Sequence, residues 1–142
     1  MSTGSPADGL PFMKMHGLGN DFVVIDRRDG GAPVSAALAR ALGDRHRGVG
    51  FDQLAIVERD GEADARLTFL NADGSPSAAC GNATRCIARW LMDRTGRAAL
   101  RLRTERGLLA ARDTGGGLTS VNMGPPLTEW QQIPLAEPTD TL

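Results

Sequence analysis

The sequence predicts a small α+β domain of about six strands and two helices, on three observations. Short apolar or alternating runs recur along the chain, bounded by glycine, proline, asparagine and aspartate. Three such runs, at 99–104, 108–112 and 118–123, follow one another with glycine-bearing turns between them, which indicates an antiparallel meander. One stretch from Ala83 instead repeats its apolar residues with the period of a helix. Because most connections resemble hairpins, an alternating βαβ arrangement is not expected.

Length and composition limit the classes of function. The chain has 142 residues, which suits one domain, and 41% of them are hydrophobic, enough for a core. The formal net charge of −1 gives no electrostatic reason to expect a nucleic acid or a membrane surface as partner. No apolar run approaches the roughly 20 residues of a transmembrane helix. Two cysteines without a signal peptide favour the cytoplasm.

The chain divides into three parts by composition. Residues 1–11 are small and polar, and we expect a disordered N-terminal extension. Residues 12–124 carry all the periodic stretches and form the predicted domain. Residues 125–142 are rich in proline, which favours a tail or linker.

The first half of the domain alternates strands with polar loops. An apolar, β-branched run at 22–25 predicts a buried strand. Ser35 is a candidate N-cap for a helix that continues to about Leu42 and ends at Gly43. Further strands are predicted at 54–58 and 66–70.

The second helix places a cysteine where a reactive group is favoured. Its apolar stripe consists of Ala83, Cys86, Ile87, Trp90 and Leu91, with Gly96 as its stop. Cys80 therefore lies at the N-terminus of a helix, where several backbone N–H groups lack intrahelical partners and the dipole favours an anion. We expect this position to lower the pKa of the Cys80 thiol and to accept a carboxylate beside it. Cys86, on the stripe, is expected in the core.

The same cysteine also fits a reading without chemistry, because free cysteine is commonly a small buried hydrophobe. Six positions along a helix put Cys80 and Cys86 on different sides, so a disulfide between them is not expected. No set of His and Cys has the spacing of a zinc site, and no metal is expected. His46 is a candidate general base, although a lone histidine in a loop is more often a surface residue.

Three polar side chains are candidates for binding a ligand. Asn20 ends a glycine-bearing loop that can approach a ligand closely, although an ordinary turn with a left-handed Asn accounts for the same residues. Gln53 comes immediately before a strand, at an edge that can face a cleft. Asn71 opens a turn-forming segment that leads to Cys80. The glycines near Asn20 do not form a dinucleotide-binding fingerprint.

Taken together, these stretches resemble the diaminopimelate epimerase family. The resemblance covers the chain from Phe12 onward but only the N-terminal half of the family's sequence. The motifs that carry it are Lys14-Met15-His16-Gly17-Leu18-Gly19-Asn20-Asp21-Phe22, Gly48-Val49-Gly50-Phe51-Asp52-Gln53-Leu54, Asn71-Ala72-Asp73-Gly74-Ser75, Ala79-Cys80-Gly81-Asn82 and Val121-Asn122-Met123-Gly124-Pro125.

The resemblance implies a fold: a curved, mostly antiparallel sheet wrapped around a central helix, as one of two pseudo-symmetric halves. It also implies epimerisation of LL- to meso-2,6-diaminopimelate, for lysine and peptidoglycan precursors, without pyridoxal phosphate, metal or other cofactor. Cys80 matches one of two catalytic cysteines. Substrate-contacting positions are matched by Asn20, Gln53 and Asn71, and the N–H groups that receive the α-carboxylate by Gly81 and Asn82.

The sequence departs from the family pattern in two ways. Ala83-Thr84 stand where the family often has Gly-Ala, and the replacement of that glycine by Ala83 suits a helix. More seriously, the second catalytic cysteine belongs to the C-terminal half, so we expect the isolated chain to be inactive or nearly so. The missing domain is thus an expected partner, and a homodimer, usual in the family, is left open.

Two alternatives remain. An isomerase of the same fold, such as a phenazine-pathway enzyme, is disfavoured by Cys80 and by the Gln53 and Asn71 motifs. A binding domain that has lost its chemistry is distinguished by thiol reactivity. In such a domain Cys80 would react with an alkylating reagent no faster than Cys86.

Overall fold

The computed structural model describes residues 9–78 and 80–123, which form eight strands and two helices. Six strands match the predicted runs, whereas β1 and β5 were not predicted. The predicted tail at 125–142 and most of the predicted extension at 1–11 lie outside the described residues. The elements are β1 (Met13–Gly17), β2 (Asn20–Asp26), α1 (Ala36–Gly43), β3 (Gln53–Glu58), β4 (Ala65–Asn71), β5 (Pro76–Ser77), α2 (Gly81–Thr95), β6 (Ala99–Thr104), β7 (Gly107–Gly115) and β8 (Leu118–Asn122).

The strands form one mixed sheet in the order β1-β2-β3-β4-β6-β7-β8, with β5 paired to β4. Most neighbours are antiparallel, and β6 to β8 form the predicted meander. The β2–β3 and β4–β6 pairs are parallel, so the sheet contains two βαβ connections that were not predicted, within a fold that is still not an alternating βαβ one. Parallel neighbours need a crossover, and α1 and α2 supply one each. Among the described residues, β1 and β8 are the two edges of this strand order.

Helix α2 is the centre around which the sheet curves. The helix contacts β1, β6, β7 and β8, although β1 and β8 lie at opposite ends of the strand order. The sheet must therefore curl for both ends to reach one helix. This arrangement confirms the predicted curved, mostly antiparallel sheet around a central helix.

The side of α2 that faces the sheet differs slightly from the predicted stripe. Its buried residues are Ala83, Thr84, Ile87, Ala88, Leu91 and Met92, whereas Cys86 and Trp90 are only partly buried. Cys86, which was expected in the core, packs against the core cluster but is only partly buried. Its Sγ lies 3.6 Å from the carbonyl oxygen of His16 in β1, at the margin of the helix–sheet contact. The predicted stop is confirmed, since Gly96 caps the helix with a φ of 69°.

A second apolar cluster covers the other face of the sheet. Val23 and Ile25 of β2 pack with Leu54 and Ile56 of β3 and with Phe51. Both strands are thus buried on two faces, which explains their continuous apolar runs. Ser35 caps α1 as predicted, because its Oγ accepts a hydrogen bond from Leu38 N at 3.0 Å. Of the helices in the described ranges, neither α1 nor α2 combines the length and the hydropathy that a membrane span requires.

The loop from α1 to β3 folds tightly back on the helix. The N–H groups of Val49 and Gly50 both donate to Leu42 O, at 2.9 and 2.8 Å. A Cβ at Gly48 would overlap the carbonyl oxygens of Ala41 and Leu42. Only glycine therefore fits here without a shift of backbone, and this loop leads directly into Gln53.

We expect Gly48→Ala to lower the free energy of unfolding by about 1–3 kcal/mol, because the added methyl group meets backbone that cannot swing away. Gly61→Ala is the matched control, because a Cβ at Gly61 meets nothing within 4 Å. It should change stability by less than about 0.5 kcal/mol. Urea unfolding of both variants measures this, and equal midpoints would contradict the close approach at Gly48.

Candidate active site

The register of the sheet brings the three candidate amides to one end. Gln53 begins β3 and Asn71 ends β4, and the two are direct cross-strand partners. Asn20 begins β2, which runs parallel to β3 with Phe22 opposite Gln53. All three side chains therefore belong to the same end of the sheet, although they are far apart in sequence.

Two of these amides are tied to the segment that leads to Cys80. Gln53 Nε2 donates to Ser77 Oγ at 3.0 Å, and Ser77 lies in β5, three residues before the cysteine. Asn71 Nδ2 donates to Ser75 Oγ at 3.1 Å. These bonds orient both amides and connect them to the segment that precedes Cys80 in the sequence.

The turn between β1 and β2 packs against the start of α2. A Cβ at Gly17 would lie 3.4 Å from Cys86 Sγ and 3.9 Å from Asn82 Cβ. The turn residues Leu18 and Gly19 have φ values of 51° and 85°, as a two-residue hairpin of the I′ type requires. Leu18, not Asn20, takes the left-handed conformation, so the ordinary-turn reading of Asn20 is wrong in that detail. Asn20 pairs with Gly17 and is held near the end of α2 that carries Asn82.

Cys80 is the N-cap of α2, as predicted. Its Sγ accepts a hydrogen bond from Ala83 N at 3.4 Å, so the sulfur itself occupies part of the predicted anion site. The residue is buried, with 7% of its surface exposed. Thr84 Oγ1 donates to Cys80 O at 2.8 Å and fixes the backbone there.

The expectation of a lowered pKa at Cys80 is wrong. Burial raises the pKa of the thiol above its ordinary value, because a thiolate loses more hydration than a thiol. The N–H groups of Ala83 and Asn82 act in the opposite direction, and the negative charge of Asp52 adds to the rise in pKa. Burial likewise raises the pKa of Cys86. Both cysteines are free thiols.

Cys86 borders a groove of its own. A cavity of about 810 Å³ lies between β1 and β8, over the first turns of α2, and His16, Arg85 and Cys86 are among the residues that line it.

Within residues 9–78 and 80–123, no group of three or more His, Cys, Asp and Glu is placed to hold a metal ion. His46 is exposed, and its backbone N–H donates to Asp44 Oδ1 at 2.8 Å, as in a turn.

Sequence reasoning missed a charged cluster beside the amides. Ion pairs of 2.8 to 3.2 Å join the β1–β2 hairpin to the loop before β3, and the residues that form them are Lys14, Asp21, Arg45 and Asp52. The available signal was position, because Asp21 follows Asn20 and Asp52 precedes Gln53. No local pattern, however, indicates that these two loops meet.

The fold is shared with several solved structures. These include a probable proline racemase from Agrobacterium radiobacter K84 (TM-score 0.60, 19% identity, 78% of this chain and 40% of that chain). A methylitaconate-delta-isomerase matches with a TM-score of 0.59 at 19% identity, over 77% of this chain and 35% of that chain. A PhzF-family protein from Bacillus anthracis matches with a TM-score of 0.53 at 20% identity, over 78% of this chain and 37% of that chain. At these identities the likeness concerns the fold alone, and the chain covers between 35% and 40% of each of these three structures.

Sequence comparison gives the family. The diaminopimelate epimerase model matches residues 12–128. A diaminopimelate epimerase of Acidiphilium cryptum is 54% identical over 136 residues, which are 96% of this chain and 49% of the relative. One of Rhodospirillum centenum is 52% identical over 133 residues, 92% of this chain and 46% of the relative. The chain therefore belongs to the diaminopimelate epimerase family, and it spans about half the length of these relatives.

The raised pKa of Cys80 predicts slow alkylation near neutral pH. The reactive thiolate is then a minor species, and its fraction grows about tenfold per pH unit until the pKa is reached. Iodoacetamide labelling of the Cys86→Ala variant, followed by mass spectrometry from pH 6 to 11, isolates Cys80. We expect the rate to rise through pH 9 without a plateau. The Cys80→Ser variant reports Cys86 under the same conditions. A plateau for Cys80 below about pH 8 would instead support the lowered pKa that the helix end alone predicts.

Proposed function

We propose that the complete protein interconverts LL- and meso-2,6-diaminopimelate, with this chain forming one side of the active site. The observation that carries the proposal is the placement of Cys80 at the N-terminus of α2, at the end of the structure where Asn20, Gln53 and Asn71 also lie. Membership of the diaminopimelate epimerase family supports this substrate.

The first turn of α2 would bind the substrate's α-carboxylate. The N–H groups of Gly81 and Asn82 lie in that turn, and the positive end of the helix dipole favours an anion there. The same groups would stabilise the negative charge that develops when the α-proton leaves. Because Ala83 N–H already bonds the sulfur, Cys80 and the carboxylate would share the end of one helix.

The amides would bind the distal amino acid end of the substrate. With Nε2 donating to Ser77, the Oε1 of Gln53 faces away from that bond and can accept from an ammonium group. Asn71 is oriented in the same way by Ser75. Asn20 approaches from the neighbouring strand, so three side chains would fix the end that does not react.

Inversion would use two cysteines, one on each side of the α-carbon. One thiolate removes the α-proton and becomes a thiol, and the thiol opposite donates its proton to the other face and becomes a thiolate. Cys80, with its raised pKa, carries a proton near neutral pH and suits the acid role in that state. In the reverse direction the roles exchange. The second cysteine would belong to the other half of the complete protein.

This chemistry would need no cofactor, since the proton moves between sulfur and carbon and the helix end stabilises the charge. The product would serve lysine and peptidoglycan precursor synthesis in the cytoplasm. The other half of the protein would be the obligatory partner, and two complete chains would form the homodimer usual in the family.

The proposal predicts that Cys80→Ala in the complete protein lowers kcat by about 10²–10⁴-fold, the usual contribution of a positioned acid or base. Cys86→Ala is the matched control and should keep most activity, because Cys86 lies beyond the first turn of α2 and is only partly buried. Conversion of LL- to meso-diaminopimelate, followed by chiral chromatography, measures kcat for both variants. Equal losses in the two variants would refute the assignment of Cys80.

The isolated 142-residue chain should show no epimerisation, because one cysteine serves only one face of the α-carbon. The same conversion assay tests this, with the complete protein as the positive control. Full turnover by the isolated chain would exclude the two-cysteine mechanism.

A further inference from the structure

Two aspartates next to the candidate amides hold each other's backbone. Asp21 N donates to Asp52 Oδ2 at 3.1 Å. In return, Asp52 N donates to Asp21 O at 2.9 Å and to Asp21 Oδ1 at 3.0 Å. Since Asp21 follows Asn20 and Asp52 precedes Gln53, these bonds fix the spacing between the two amide-bearing positions.

Such a pair of carboxylates needs positive charge to remain close. Two cations supply it, and Arg45 donates from Nη1 and Nη2 to the two oxygens of Asp21 at 3.0 and 2.9 Å. The same Nη2 reaches Asp52 Oδ1 at 3.2 Å. Lys14 Nζ contacts Asp21 Oδ2 at 2.8 Å and also donates to Gly50 O. Arg45 and Lys14 together hold the pKa of Asp21 well below its usual range.

The loop fixes Arg45 in this position. Gly50 has a φ of +77°, and a Cβ there would lie 2.7 Å from Arg45 Cγ. The backbone of Gly50 thus packs against the stem of the arginine. The guanidinium contacts Asp21 of β2 and Asp52 of the loop before β3, and Asp21 also pairs with Lys14 of β1.

We propose that Arg45 is a positioning residue, which binds the Asp21–Asp52 pair and thereby sets the distance between Asn20 and Gln53. The inference rests on the proposed function, in which these amides bind the distal end of the substrate. Arg45 itself touches neither the substrate nor the reacting atoms in this proposal. Its removal should therefore act on substrate binding more than on proton transfer.

Stability alone gives a different expectation. The side chain of Arg45 is 54% exposed, that of Asp52 45% and that of Asp21 24%, so solvent screens these pairs and limits what they contribute to folding. Arg45→Met should therefore shift the urea midpoint only slightly. A binding defect without a comparable loss of stability separates a positioning role from a structural one.

The experiment compares Arg45→Met with Arg47→Met in the complete protein. Arg47 lies in the same loop, and its exposed side chain makes a matched control. We expect Arg45→Met to raise KM about tenfold while kcat changes less than about threefold, and Arg47→Met to change neither. Adding Asp52→Asn to Arg45→Met removes the repulsion between the two carboxylates and should restore part of the loss in KM. Equal KM values for Arg45→Met and wild type, or equal defects in both single variants, would overturn the proposal.

Amide hydrogen exchange gives a readout that does not need turnover. Exchange at the Asp21 and Asp52 amides should accelerate in Arg45→Met and remain unchanged in Arg47→Met, because the reciprocal bonds loosen only when the guanidinium is lost. Unchanged exchange in Arg45→Met would refute the positioning role. A wild-type protein without epimerase activity would instead refute the proposed function, and the exchange data would still decide whether Arg45 couples the two loops.

Discussion

The fold depends on burying one face of α2 inside the curved sheet. Ile87 and Ala88, in the middle of that face, are completely buried, and strands from both ends of the sheet reach the helix. Because the helix is fixed along its length, its N-terminus is fixed too, and with it Cys80. The same burial that positions the sulfur also removes water from it and raises its pKa. Placement and protonation of the cysteine are thus two results of one packing arrangement.

Much of the fold could be predicted from local pattern. The meander, both helices and the caps at Ser35 and Gly96 follow from turn chemistry and periodicity, which act over a few residues. β1 was missed because its residues alternate between partly buried and exposed, without a fully buried apolar side. β5 was missed because it has only two residues and follows a turn-forming segment that contains proline. The parallel pairs were missed because strand neighbours are decided by the crossover helices, which the sequence of each strand does not report.

The candidate site was predicted residue by residue, but not as an arrangement. Sequence motifs singled out Gln53 and Asn71, whereas their direct cross-strand pairing emerged only from the register. The pKa of Cys80 was predicted in the wrong direction, since the helix-end rule is local and desolvation depends on what packs over the sulfur. The cluster around Arg45 was missed for a similar reason: its members come from three segments that meet only in the folded chain.

The strands β1 and β8, which end the sheet among the described residues, have a consequence for handling the isolated half. A strand paired on one side exposes main-chain donors and acceptors that another extended chain can join in register. Leu118, at the start of β8, adds a 67% exposed apolar side chain to one of these rims. These two rims give the isolated half two places where a second extended chain can add by backbone pairing.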